Sequence, residues 1–131
     1  MKPALKYQKL TILWALFIFT ICSIKLGGVG KSPMFFVGFD KVTHCGLFFV
    51  LTVFWCSGII RKQKVKFLSY TSAAMVVACA VAFGGLIEIL QMTIFTWRSG
   101  EWGDFEADAI GACMAAFSIV IIERALGHEK N

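Results

Sequence analysis

The sequence predicts an all-α membrane protein, with four transmembrane helices in one bundle and both termini in the cytoplasm. Of the 131 residues, 58% are hydrophobic and only 16% are charged. That composition is typical of membrane proteins rather than of soluble domains. Four continuous apolar runs approach or exceed the roughly 20 residues that a helix needs to cross a bilayer. The basic residues are concentrated in alternate connections between these runs, as the positive-inside rule expects.

The four runs define the predicted spans. A glycine-rich breaker segment follows the first run, a basic loop at 61–66 follows the second, and a polar tail follows the fourth. Small residues at helical spacing predict close helix packing, at positions 74, 78 and 82 in the third run and at 111–116 in the fourth. The predicted spans are Leu10–Leu26, Phe39–Ile60, Phe67–Trp97 and Asp104–Ile122.

The distribution of basic residues sets the predicted orientation. A cytoplasmic N-terminus leaves nine Lys and Arg residues inside and four outside, namely Lys25, Lys31, Lys41 and Arg98. Such an excess inside is what the positive-inside rule requires of short loops. Because the basic residues lie in loops and not on one amphipathic element, we expect contacts with anionic lipid headgroups rather than with nucleic acid.

Polar residues interrupt the apolar runs at a few places. Glu88 and Gln91 lie three residues apart in the third run, so a helix places both on one face. A charged residue in a membrane span is costly and is usually functional. Under the predicted topology, the other polar residues of note lie at the same outer ends of the spans: Asp40, Lys41, His44, Arg98, Asp104 and Asp108.

These residues form a series of short motifs: Asp40-Lys41-x-x-His44, Glu88-x-x-Gln91, Arg98, and Asp104-x-x-x-Asp108-x-x-Gly111. In this order and spacing, the chain resembles the VanZ-like family of small bacterial membrane proteins. The motifs cover residues 35–120 of a single domain spanning 1–131. The resemblance implies a multi-pass protein of the bacterial plasma membrane. The founding member of the family is associated with teicoplanin resistance, a cell-envelope phenotype. Many members have Asn where this chain has Asp108.

Three functional interpretations stay open at this stage. In the first, Asp40, Lys41, Gln91, Arg98 and Asp108 bind the headgroup of an anionic lipid or a lipid-linked envelope precursor. In the second, the protein is an enzyme that acts on such a substrate. His44, Glu88 and Asp104 then supply the acid–base chemistry. In the third, the charged residues only form ion pairs that brace helix ends. The sequence also leaves open whether the protein forms an oligomer.

The charge balance of the predicted site bears on these interpretations. Its four carboxylates oppose Lys41 and Arg98, which leaves a surplus of two negative charges. Carboxylates close to one another cannot all stay ionised cheaply, so either some are protonated or a cation is bound. Oxygen ligands favour a hard divalent ion such as Mg²⁺ or Ca²⁺. We further expect Glu88 and His44 to face each other, within hydrogen-bond reach or sharing a water or an ion.

Overall fold

A computed structural model of the chain describes residues 3–24, 38–96 and 100–129, and within those residues the regular elements are all helices. This confirms the all-α class. The helices, in chain order, are α1 (Pro3–Lys6), α2 (Lys9–Ser23), α3 (Phe39–Gln63), α4 (Tyr70–Thr93) and α5 (Trp102–Glu129).

Three of these helices are long and apolar enough to cross a membrane. The apolar stretches of α3, α4 and α5 have mean hydropathies of 1.7, 2.3 and 1.8. They therefore indicate a multi-pass membrane protein. Helix α2 is apolar but has only 15 residues. The end of the predicted first span, Leu10–Leu26, lies outside the described residues, as do the basic residues Lys25 and Lys31.

The helix boundaries differ from the prediction at several points, of which three have a visible cause or consequence. Helix α3 extends beyond the predicted end, and Lys64 terminates it in the left-handed conformation with φ of 53°. Helix α4 begins three residues later than expected, because the Ser69 side chain caps it by accepting a hydrogen bond from the Ser72 N–H. Helix α5 continues through Glu129, so most of the predicted polar tail is helical.

The packing of α3 against α5 depends on a glycine. A Cβ atom at Gly111 would overlap the carbonyl oxygen of Cys45 on α3, so only glycine permits this approach. The small residues that follow it, Ala112, Ala115 and Ala116, are buried as the sequence predicts. Helix α2 packs across α3, where the Trp14 indole N–H donates to the Leu47 carbonyl at 2.9 Å.

The predicted packing face of α4 is wrong. The alanines at positions 74, 78 and 82 are exposed, and the helix instead buries Ala73, Val76, Ala80, Gly84 and Ile87. Helix α4 is apolar on all sides, so its sequence does not identify the side that packs. The alanine spacing was therefore consistent with more than one packing face. The inner face is the one that carries Gly84 and Glu88 against α5.

Candidate functional site

The polar residues meet at one end of the bundle, where α3 and α5 begin and α4 ends. We call this the polar end. Polar residues from three helices come together there because α3 and α5 run parallel to each other and α4 runs antiparallel to both. The described charged residues there, which we call the polar cluster, are Asp40, Lys41, His44, Glu88, Glu101, Asp104 and Asp108.

Three members of the polar cluster form a buried triad, His44, Glu88 and Asp108, with relative exposures of 5%, 1% and 0%. The Nδ1 atom of His44 lies 2.9 Å from Oδ1 of Asp108. One nitrogen or carboxylate oxygen from each of the three residues lies within 4.8 Å of the others. The triad therefore joins α3, α4 and α5 through one compact group of nitrogen and oxygen atoms.

Glu88 faces the protein interior rather than lipid. Its Oε2 atom accepts a hydrogen bond from the backbone N–H of Glu101 at 2.9 Å. His44 is close to Glu88, as the sequence suggests, but the hydrogen-bond partner of His44 is Asp108. The structure thus brings the two residues together without a direct bond between them. The acid–base roles assigned to His44, Glu88 and Asp104 stay predictions.

A second group, which we call the rim group, surrounds the ammonium of Lys41. Its Nζ atom lies 2.9 Å from Glu101, 3.5 Å from Asp40 and 3.7 Å from Asp104. Lys41, Asp40 and Glu101 have side chains about half exposed, at 43%, 54% and 49%. The lysine stem passes over Gly103, where a Cβ atom would meet its Cε at 2.7 Å. The negative charge of the three rim carboxylates is thus partly offset by one protein cation.

Asp104 connects the rim group to the buried triad. Its side chain is buried, with Oδ2 lying 3.8 Å from Nε2 of His44 and Oδ1 lying 3.7 Å from Lys41. Sequence reasoning missed Glu101, which contributes to both groups through its carboxylate and its backbone N–H. Its position three residues before Asp104 was the available signal, because acidic residues favour the start of a helix.

Two predicted site residues do not belong to the described polar cluster. Gln91 is buried and donates its side-chain N–H to the Cys22 carbonyl at 3.0 Å, which ties α4 to α2. Arg98 lies outside the described residues. Its predicted contact with phosphate therefore stays a prediction.

Several buried polar atoms of the polar end find no hydrogen-bond partner in the described parts of the chain. They are Oε1 of Glu88, Oδ1 of Asp104, Oδ2 of Asp108 and Oε1 of Gln91. A buried oxygen without a partner costs on the order of 1–3 kcal/mol, and more when it is charged. Gly84 keeps the space beside Asp108 open, since a Cβ atom there would lie 2.8 Å from Oδ2. The donor set of imidazole and carboxylates is one that can hold a metal ion.

An apolar groove lies between α3 and α5 and opens beside the rim group. Its volume is about 440 Å³, within the range of small-molecule sites. The groove is lined by Lys41, Val42, Cys45, Gly46, Phe49, Ala107 and Ile110. Among the described residues of this lining, Lys41 is the one with a charged side chain; its apolar stem borders the groove, and its ammonium lies beside the groove in the rim group.

No protein-family model, no curated protein and no solved structure matches the chain. Its own geometry supports two kinds of chemistry. An imidazole hydrogen-bonded to a carboxylate can move a proton. Carboxylates with unpartnered oxygens can bind a cation, and an ammonium at the end of an apolar groove can bind an amphiphilic anion.

Proposed function

We propose that the chain is a VanZ-like protein of the bacterial plasma membrane that binds an anionic lipid or a lipid-linked envelope precursor at its polar end. The apolar groove that ends at Lys41 is the observation that carries this proposal. An acyl or prenyl chain suits the apolar lining, and a phosphate suits the ammonium. Both parts of such a ligand are thus accommodated by adjacent parts of α3 and α5.

The contacts of Lys41 permit this binding. Its ammonium is already paired with carboxylates, but Lys41, Asp40 and Glu101 are about half exposed. Ion pairs that water reaches contribute little to stability, so a phosphate can replace one carboxylate at small cost. In the proposed complex the headgroup displaces Glu101 from Lys41, and Arg98 is the predicted further contact, whereas Gln91 is tied to the Cys22 carbonyl.

The proposed topology has four spans, with α2 belonging to the first and with both termini in the cytoplasm. This places the polar end at the outer leaflet. In a variant whose five native cysteines are replaced by alanine, single cysteines at Ser32 and Ser99 should react with an impermeant thiol reagent in intact cells. A cysteine at Gln63 should react only after the membrane is opened. Labelling at Gln63 in intact cells would reverse the orientation.

Native mass spectrometry of the detergent-purified protein tests the lipid site. Wild type should retain phosphatidylglycerol in preference to zwitterionic phosphatidylethanolamine. Lys41→Gln should lose that preference, and Gly46→Leu should lose both lipids, because Gly46 lines the groove with open space above it. The matched control is Lys62→Gln, an exposed lysine at the far end of α3. Equal retention by the Lys41 and Lys62 variants would contradict the proposal.

The catalytic form of the proposal adds a proton-transfer step to binding. His44 is the candidate acid–base group, Asp108 orients its ring through Nδ1, and Glu88 and Asp104 lie near it. If the protein acts on an envelope precursor, its expression should alter the susceptibility of the cell to teicoplanin. His44→Gln should abolish that phenotype at unchanged protein level, whereas a variant that retains it would leave only the binding form.

The alternative is that the polar residues only hold the helices together, and their contacts between neighbouring elements favour it. Polar contacts join neighbouring elements in several places: His44 to Asp108, Lys41 to Glu101, Glu88 to the Glu101 backbone, and Gln91 to the Cys22 backbone. If these contacts only hold the helices, replacing any one of them should reduce thermal stability and leave lipid selectivity unchanged.

A further inference from the structure

The buried triad and the rim group differ in how their negative charge is offset. The rim group has the Lys41 ammonium within 4 Å of all three of its carboxylates. Among the described residues, Glu88 and Asp108 of the triad carry up to two negative charges in a nearly fully buried setting, and His44 can supply at most one positive charge, and none when its imidazole is neutral. Burying uncompensated carboxylates is expensive. A divalent cation would offset the remaining excess.

The unpartnered atoms indicate where such a cation would bind. Glu88 and Asp108 are almost fully buried, and each has one carboxylate oxygen without a hydrogen-bond partner in the described chain. Both residues contribute to the atoms that lie within 4.8 Å of one another. Ligand atoms at about 2.1 Å from an octahedral ion are about 3.0 Å apart, and His44 Nδ1 lies 2.9 Å from Asp108 Oδ1 in a hydrogen bond. An ion bound between these two atoms would replace the proton of that hydrogen bond, because a ligating imidazole nitrogen carries no proton.

We propose that His44, Glu88 and Asp108 bind one divalent transition-metal ion. The imidazole decides the class of ion, since Mg²⁺ and Ca²⁺ prefer oxygen ligands only. A mixed nitrogen and oxygen set suits Mn²⁺, Fe²⁺, Co²⁺ or Zn²⁺. This proposal differs from the expectation based on the carboxylates alone, which favoured Mg²⁺ or Ca²⁺, because it includes the imidazole as a ligand. Three protein ligands leave open positions on the ion.

The site does not depend on lipid, so it can be tested on delipidated protein in detergent. Metal content is measured after loading with Mn²⁺, Co²⁺ or Zn²⁺ and removal of free ion, and Co²⁺ also reports its ligands by visible absorption. Wild type should bind one equivalent, and Zn²⁺ should bind more tightly than Mn²⁺, as the general affinity order requires. Mg²⁺ should bind more weakly than either.

Substitutions of the ligands give the expected loss. Because removing even a group that only orients a ligand costs about 10–100-fold in metal affinity, Glu88→Gln and Asp108→Asn should each lower affinity by at least that factor. Glu106→Gln is the matched control, because Glu106 is an exposed carboxylate on the same helix as Asp108. Size-exclusion profiles establish that each variant is folded, and the Glu88 and Asp108 variants serve as independent tests.

Three outcomes would overturn the metal site. The first is a wild-type protein that retains no more metal than the Glu88→Gln variant does. The second is an equal affinity for Mg²⁺ and Zn²⁺, since that would exclude the imidazole of His44 as a ligand. The third is a loss of binding in Glu106→Gln as large as in Asp108→Asn. Loss of lipid selectivity in the Lys41 or Gly46 variants leaves this site intact, so the two proposals fail separately.

Discussion

The charged residues at the two ends of the bundle differ in how fully their hydrogen bonds are satisfied. At the end opposite the polar end, which we call the basic end, Glu123 accepts a hydrogen bond from the backbone N–H of Leu68 at 2.8 Å. Arg124 donates to the Val120 carbonyl and lies 4.3 Å from the centre of the Tyr70 ring. These charges satisfy the backbone groups where α4 begins beside α5. They stabilise a connection between helices.

The polar end carries buried carboxylates whose oxygens are only partly satisfied. Asp108 is fully buried and Glu88 nearly so, yet each has an oxygen without a partner in the described chain. A chain selected for stability alone would replace such groups by apolar residues, since a buried ionic group is often no more stable than its apolar equivalent. The contrast is the one expected if the basic end serves stability and the proposed binding sites lie at the polar end.

The largest expected effect comes from separating α3 from α5 at the polar end. Gly111→Ala should lower the free energy of unfolding by about 1–3 kcal/mol, because the added methyl group meets the rigid backbone of Cys45. Thermal unfolding in detergent measures the change. Gly46→Ala is the control, since nothing lies near its Cβ position, and alanine should stabilise that helix by roughly 0.5–1 kcal/mol. Equal melting temperatures of the Gly111→Ala and Gly46→Ala variants would disprove the close approach of α3 and α5 at Gly111.

The next effect belongs to the basic end. Glu123→Ala should cost about 1–3 kcal/mol, because it leaves the buried Leu68 N–H without its acceptor. The same thermal measurement applies. Glu106→Ala, at an exposed position of the same helix, should change stability by less than about 0.5 kcal/mol. If both variants behave alike, the basic end is not a stabilising contact.

A smaller change in stability is expected at Glu88, despite its burial. Glu88→Gln keeps an acceptor for the Glu101 N–H and removes a buried negative charge, so stability should change by less than about 1 kcal/mol. Metal affinity should nevertheless fall by at least about 10–100-fold, and the teicoplanin phenotype of the catalytic form should be lost. A variant that unfolds much earlier than wild type and keeps its binding would assign Glu88 to bracing and remove the contrast between the two ends.

The smallest effect on stability is expected at the rim group. Lys41→Gln removes ion pairs that water reaches, which contribute little to folding. Its melting temperature should stay within the error of wild type, while its selectivity for phosphatidylglycerol disappears. A marked fall in melting temperature, with selectivity retained, would show that Lys41 braces the start of α3.

Much of the candidate site follows from local spacing. His44 lies one turn from Asp40, and Gln91 lies one turn from Glu88. Asp104 and Asp108 are four positions apart, so both lie on one face of α5. Such relations depend only on the pitch of a helix. The convergence of three helices at one end follows from the antiparallel order of successive spans, which short connections impose. The positions of these charged residues near the ends of the apolar runs could therefore be predicted from the sequence.

Tertiary packing decided the remaining features. The sequence predicted that His44 and Glu88 face each other, and the two do lie close together, but the rotation of α5 against α3 makes Asp108 the direct hydrogen-bond partner of His44. The sequence also predicted that α4 packs through the alanines at positions 74, 78 and 82, whereas these alanines are exposed.

The sequence by itself determined the helical class, the membrane-spanning character and most of the described residues at the polar end, with Glu101 as the exception. Hydropathy and helical spacing are properties of each segment alone, so no partner is needed to read them. Only the tertiary structure decided which side of each helix turns inward, which carboxylate meets the imidazole, and why Gly84 and Gly111 lack side chains. The physical reason is that a helix apolar on every side can pack at many rotations. Close contact between the helices selects one of them.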